Sequence, residues 1–263
     1  MSLASPMVKP ARKELLRVEV VRSAQLSSTF RRVTLGGPGL AAFTPMGYDQ
    51  WFRFFVPTGD PRGLDTLPPR ADTTAGYLRY LRIKDDIRPL YRNYTVRAFR
   101  PESLEMDVDF VLHGDAQFSA STWARTCAPG DPAALIDEGI GFDPARGTQR
   151  VLLVGDETAV PAVSGILASL PEHATGVAIC EVPGRDDVLD LAGPDGVEIR
   201  WFVREPGAVP GRTALAAVRD VEITADTHVF SAGESALATG VRRDVVGRGH
   251  AKDRVSFCGY WKI

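Results

Sequence analysis

At 263 residues the chain has room for two domains, and its hydrophobic content of 44% and charged content of 24% are those of an ordinary globular protein. A net charge of -2 excludes a general affinity for nucleic acid, so any anionic partner must be met by a local basic patch. Cys127, Cys180 and Cys258 are widely separated and form no CxxC, which excludes a disulfide framework and a zinc or iron–sulfur site; His113, His173, His228 and His250 are equally scattered, and no protein metal site is expected.

The opening "MSLASPMVKPARK" has no hydrophobic core for a signal peptide, and no apolar stretch approaches a membrane span. The expectation is a cytoplasmic protein with neither membrane nor nucleic acid as partner. "ELLRVEVVR", "STFRRVTLGG" and "YDQWFRFFVP" read as strands ended by turn residues. Residues 58–75 are rich in Pro and Gly and read as a long loop, followed by the basic stretch "YLRYLRIKDDIRP". "LYRNYTVRAF" (90–99) is again strand-like, yet it carries Arg92 and Arg97 and the pair Tyr94–Thr95. In "SLEMDVDFVLH", Met106, Val108 and Phe110 alternate with Glu105, Asp107 and Asp109, which predicts one buried face and one wet face. His113-Gly114-Asp115 then precedes a helical stretch that Ser119 or Ser121 caps.

After "GIGFDPARGTQ" the pattern changes. "RVLLVGDE", "GVAICEV", "VEIRWFV", "THVFSAG" and "RVSFCGYW" are short apolar runs, alternating with helical stretches such as "TAVPAVSGILASL" and "ESALATGVRRDVV". Such alternation predicts a parallel sheet covered on both faces. The expected fold is therefore an antiparallel β-barrel domain over 14–140 followed by a doubly wound α/β domain over 148–263. In open parallel sheets ligands bind beyond the carboxyl ends of the strands. "LLVGDETAVPAV" lies there, with Thr158 placed to cap the next helix and Pro161 in its first turn.

Seven stretches in order, "YDQWFRFFVP", "RNYTVRAF", "DFVLHGDA", "WARTCAPGD", "LLVGDETAVPAV", "SAGE" and "FCGYW", resemble the siderophore-interacting proteins. These are FAD-dependent ferric-siderophore reductases within the ferredoxin–NADP reductase-like flavoproteins. The resemblance runs from about Leu16 to Trp261 and implies the two domains just described, the first binding FAD and the second NADH or NADPH. It implies that Arg92 neutralises the FAD pyrophosphate, Tyr94 packs on the isoalloxazine, and Thr95 and Val96 lie beside its reactive edge. His113, Gly114 and Ser121 would hold phosphate and ribose. Asp156, Glu157 and Thr158, with Gly233 and Glu234, would lie near the nicotinamide, and Tyr260 and Trp261 would cover the flavin or shape its approach.

Trp51 and Arg53 stand where the family often has His and Lys, which implies a substrate-facing position. Arg79, Arg82, Lys84 and Arg88 are further candidates for a basic rim, the alternative being a solvated face. Arg185 or Arg204 would meet a 2′-phosphate. The flavin carries the chemistry, so no catalytic residue and no metal ligand is expected. The partner would be a ferric siderophore, with ferredoxin as a second conceivable donor. One departure stands out: the family's Gly-Pro turn after His-Gly-Asp is replaced here by Gln117 and Phe118. It keeps two other readings open, a flavin reductase with a different acceptor and a non-catalytic siderophore binder with a degenerate flavin site.

Overall fold

The protein is described by a computed structural model covering residues 7–69, 73–114, 119–145 and 147–263. It divides into two compact units. One comprises Lys9–Met46 and Gln50–Gly139; the other contains Gly47–Asp49 and Ile140–Ile263.

The first unit contains β1 (Leu15–Gln25), β2 (Phe30–Gly36), β3 (Trp51–Val56), α1 (Thr74–Leu81), β4 (Leu90–Thr95), β5 (Ala98–Arg100), β6 (Glu105–Val111), α2 (Ala120–Thr126) and β7 (Pro132–Gly139). All the strand pairings are antiparallel, in the order β4-β3-β7-β1-β2-β6-β5. The two edge strands are joined in sequence by Val96 and Arg97 alone, a link of about 10 Å at full stretch. The sheet must therefore curl until its edges meet. Val96 N–H donates to Gln50 O (2.8 Å) and Arg97 N–H to Asp107 O (2.9 Å), carrying the β3–β4 and β5–β6 ladders into the two-residue link between the edge strands. Inside lie Leu16, Val18, Val20, Val33, Leu35, Phe52, Phe54, Met106, Val108 and Phe110.

The outer face of β6 is not wet as its alternation suggests. Asp107 and Asp109 are buried because arginines from neighbouring strands cover them. Arg100 grips Asp107 at 2.7 and 2.8 Å, and Arg32 grips Asp109 at 2.7 and 2.8 Å. Arg97, which an exposed strand would leave in water, lies 3.6 Å from Asp109. The excursion after β3 also differs from the expected loop. It holds a 3-10 turn over Pro61–Thr66 and then α1, whose start is fixed by the Thr73 hydroxyl accepting from Gly76 N–H (3.0 Å).

The second unit contains β8 (Arg150–Gly155), α3 (Val160–Ser169), β9 (Thr175–Val182), β10 (Val197–Val203), α4 (Arg212–Ala217), β11 (Thr227–Glu234), α5 (Ser235–Gly247) and β12 (Val255–Trp261). Its sheet is parallel, in the order β10-β9-β8-β11-β12. This is the doubly wound arrangement, and its switch point falls between β8 and β11. Leu152, Val154, Ile179 and Val229 meet Ala214, Val218, Leu237, Val241 and Val245 from the helices on one side. On α3 every residue from Val160 to Leu167 is buried, which accounts for its lack of a polar stripe. Thr158 does not cap α3. It sits in a 3-10 turn (Glu157–Ala159) that Asp156 caps, and Pro161 occupies the first turn of α3 as expected.

Candidate active site

On the barrel the site is built from the β3–β4 pair. The register sets Trp51 opposite Thr95, Phe52 opposite Tyr94 and Phe54 opposite Arg92. Arg92 and Tyr94 are two residues apart and so share a face, about 7 Å from each other along the strand. The Tyr94 ring packs on Phe110 (centroids 4.3 Å) and edge-on to Phe54 (5.9 Å). Trp123 of α2 closes the same aromatic cluster against Phe54 (5.3 Å) and Phe110 (5.7 Å). Burial raises the pKa of the Tyr94 phenol, so it stays neutral and available as a donor. Thr95 and Val96 are buried beside Trp51 at the end of the strand.

The polar groups here have few partners within the protein. Arg92 is exposed, and its guanidinium makes one hydrogen bond, to the Tyr91 carbonyl (2.7 Å). The hydroxyls of Tyr94 and Thr95 have no hydrogen-bond partner among the described residues. A guanidinium, an aromatic ring and a hydroxyl left in this state fit a flat heterocycle carrying phosphate: the guanidinium matches phosphate oxygens, and the ring covers the heterocycle.

His113 and Gly114 are exposed after β6. Gly114 has φ +57°, and a Cβ there would meet nothing within 4 Å, so backbone conformation and not crowding selects glycine. Ser121 is buried, and its hydroxyl accepts the His113 N–H (3.1 Å), which pins the loop onto α2. Of the two candidate caps it is Ser119 that serves, accepting from Thr122 N–H (3.0 Å). Asp115, Gln117 and Phe118 lie outside the described residues. Ser119→Ala is expected to destabilise the barrel by about 1 kcal/mol in urea unfolding, the usual worth of an N-cap hydroxyl.

Arg53 belongs to a cluster that local sequence does not reveal. The buried carboxylate of Glu138, at the end of β7, is met by Arg53, by Lys13 and by Lys9 (3.4 Å). Arg53 also lies over the Tyr91 ring at 5.8 Å. Three cations thus converge on one buried carboxylate. The signal that could have found it is "IDEG": two acids closing a core strand require compensation.

In the second unit Asp156 follows β8 at the switch point and is fully buried. Its Oδ1 accepts from Thr158 N–H (2.9 Å) and the Thr158 hydroxyl (2.5 Å). Its Oδ2 accepts from Glu234 N–H (2.6 Å) and from the Trp261 indole N–H (3.1 Å). Burial pushes its pKa up to about 6 against these hydrogen bonds. Gly233 has φ +120°, and a Cβ there would stand 2.5 Å from the Asp156 carboxylate. The carboxyl ends of β8, β11 and β12 thus meet on one side chain. The Ser235 hydroxyl holds the Trp261 carbonyl (2.6 Å), and Tyr260 is half-buried beside it in the chain.

The two glutamates expected near the nicotinamide have protein partners. Glu157 binds Arg204 bidentately (2.9 and 2.9 Å), and Glu234 caps α5 through Ala236 and Leu237 N–H (2.5 and 3.3 Å). Arg204 also donates to Glu181 (3.2 Å), a buried residue that takes the N–H groups of Gly211, Thr213 and Ala214 at the start of α4. Its guanidinium is therefore committed to carboxylates, not to a phosphate. Arg185 is exposed, with no ion pair among the described residues.

A curled antiparallel barrel followed by a doubly wound parallel sheet is an arrangement that other solved proteins share. A ferredoxin NADP+ reductase from Neisseria gonorrhoeae, 11% identical, matches with a TM-score of 0.65 over 94% of this chain and 99% of that one, a likeness of fold alone. More closely, the siderophore-interacting FAD-binding domain matches residues 19–140, and the siderophore-interacting protein domain matches residues 148–263. This chain belongs to the siderophore-interacting protein family. An uncharacterized protein of Mycobacterium tuberculosis is 34% identical over 96% of this chain and 92% of its own. Ferric vibriobactin reductase ViuB of Vibrio cholerae is 30% identical over 93% and 88%. The crystal structure of the siderophore-interacting protein SipS from Aeromonas hydrophila, 29% identical, matches with a TM-score of 0.75 over 95% of this chain and 99% of that one.

Proposed function

We propose that the protein is a FAD-dependent ferric-siderophore reductase drawing electrons from NADH or NADPH. The observation that carries the reading is the exposed Arg92, bonded only to its neighbour's carbonyl, two residues from the Tyr94 ring, with the hydroxyls of Tyr94 and Thr95 unpartnered among the described residues. FAD held there would supply hydride acceptance and single-electron transfer, so the protein's part is position and charge and no acid or base. Arg92 would neutralise the pyrophosphate, Tyr94 would cover the isoalloxazine, and Thr95 would offer it a hydroxyl. His113 N–H, held by Ser121, fixes the loop whose glycine allows close approach to ribose and phosphate.

The cations Lys9, Lys13 and Arg53 gathered around Glu138 suit an anionic ferric chelate, and Trp51 on the same strand as Arg53 offers a stacking surface. Iron(III) is substrate here, bound by its own chelator. At the switch point Asp156 fixes Trp261 at the end of β12, where it shapes the nicotinamide approach. With Arg204 committed to carboxylates, Arg185 is the residue placed to read a 2′-phosphate. Arg185→Ala is expected to raise KM for NADPH several-fold and leave kcat unchanged; an unaltered NADPH KM would remove Arg185 from that role.

The deciding experiment is anaerobic. The FAD-loaded protein is reduced with NADH or NADPH, ferric siderophores are added, and flavin absorbance is followed together with an iron(II) trap. Reoxidation matched by trapped iron(II) supports the reading. Bleaching by the nicotinamide without reoxidation by any ferric chelate points to another acceptor, and failure to take up FAD ends the enzyme reading.

A further inference from the structure

Helix α1 carries a surface that the proposed reduction does not use. Its inward residues are Gly76 and Tyr80, with the Tyr80 hydroxyl donating to the Pro89 carbonyl (2.9 Å). Tyr80, Leu64 and Leu67 seat the whole excursion on Phe55, Ala134 and Ile136 of the barrel. Outward stand Tyr77, Leu78 and Leu81, exposed by 41, 50 and 45%. Of the seven large hydrophobic residues exposed in this way among the described residues, these three fall within five positions of one helix. Spaced i, i+1 and i+4, they form one patch.

Around the patch Arg79, Arg82 and Lys84 are exposed, and none has an ion-pair partner among the described residues. The nearby acid Asp85 is taken by Arg88. Asp86 is exposed with no ion pair among the described residues, so the three cations leave a local surplus of two positive charges beside this apolar patch.

We infer that α1 is a docking surface for an anionic phospholipid bilayer. Tyr77, Leu78 and Leu81 enter the headgroup boundary while Arg79, Arg82 and Lys84 face lipid phosphates. Three side chains fall far short of the roughly 800 Å² that each partner buries in a stable protein complex. A bilayer sets no such minimum, because shallow insertion and charge attraction add. Flanking cations on long stems suit that boundary, since their methylenes stay with the apolar patch and their charges with the headgroups. No helix among the described residues is long and apolar enough to cross a membrane, so the contact lies on the surface. The inference departs from the sequence expectation of no membrane partner, and it does not depend on the flavin reading.

The test is co-sedimentation of the full-length, FAD-supplemented protein with phosphatidylcholine vesicles, with and without phosphatidylglycerol. The expected result is binding to the anionic vesicles at low salt and release as ionic strength rises. Each cation removed in Arg79→Ala and Arg82→Ala should lower the partition about five-fold, and Leu78→Glu with Leu81→Glu should abolish it. The melting temperature should be unchanged in both variants, which reports that they fold. Four results would overturn the inference: absence of vesicle binding, equal binding to neutral vesicles, binding indifferent to both variants, or a dimer dissolved by Leu78→Glu, which would assign the face to a second copy.

Discussion

Arg92→Ala is expected to weaken FAD binding roughly 10- to 100-fold while leaving thermal stability unchanged. The side chain is exposed and makes one bond inside the protein, to its neighbour's carbonyl, so its loss costs the fold little. Against a pyrophosphate it would make charge-assisted hydrogen bonds worth about 1.5–3 kcal/mol. Titration calorimetry of apo-protein with FAD measures the effect directly. Arg92→Lys should fall between, since an ammonium keeps the charge without the two-pronged geometry.

Tyr94 gives the complementary series. Tyr94→Phe keeps the ring on Phe110 and should bind FAD almost normally. Tyr94→Ala should lose both flavin and about 3 kcal/mol of stability, because the ring is also part of the barrel wall. If Arg92→Ala binds FAD like the parent while Tyr94→Ala does not, the phosphate assignment is wrong and only the ring contact stands.

Much of this arrangement was legible because it depends on periods of two and four residues. Leu16, Val18 and Val20 alternate with Arg17 and Glu19 along β1 as written in the sequence, and the buried runs of β8, β9 and β11 read directly as parallel strands. Arg92 and Tyr94 share a face for the same reason. What could not be read was pairing between charges far apart in the chain. Asp107 and Asp109 looked solvated because the arginines that cover them come from β2, from β5 and from the link beside it. Arg53 looked free because Glu138 lies on β7, and only the strand register brings them together.

Local competition explains the remaining misses. Thr158 looked like a helix cap until the carboxylate two residues earlier took both its N–H and its hydroxyl. Helix α1 was hidden by the Pro- and Gly-rich stretch before it, although Thr73 supplies an ordinary cap.

Asp156→Ala is expected to be the most damaging single change in the α/β unit, lowering its melting temperature by on the order of 10 °C. The carboxylate accepts four donors, and removing it strands the buried N–H of Glu234 and frees the Trp261 indole. An unsatisfied buried donor costs about 1–3 kcal/mol, so a total of roughly 3–5 kcal/mol follows from these groups together. Alanine also leaves a hole against Gly233, which has no side chain to fill it and whose φ of +120° disfavours one there.

The sign of the pH effect can be worked through. The folded pKa of about 6 lies above the ordinary value of 3.8, so between those limits the native state holds more protons than the unfolded one. The contribution of Asp156 to stability therefore falls as pH rises from about 4 to about 6 and is constant above that. Glu157, beside it in the chain, adds to the rise in pKa, while Thr158 and the Glu234 N–H oppose it. Protonation leaves one oxygen less able to accept from Trp261. The Trp261 contribution to fluorescence, isolated as the difference from Trp261→Phe, should therefore shift with a midpoint near pH 6, and the shift should vanish in Asp156→Asn. A Trp261 signal that is flat from pH 5 to pH 7 in the parent protein would mean that the indole is held by packing and not by the carboxylate.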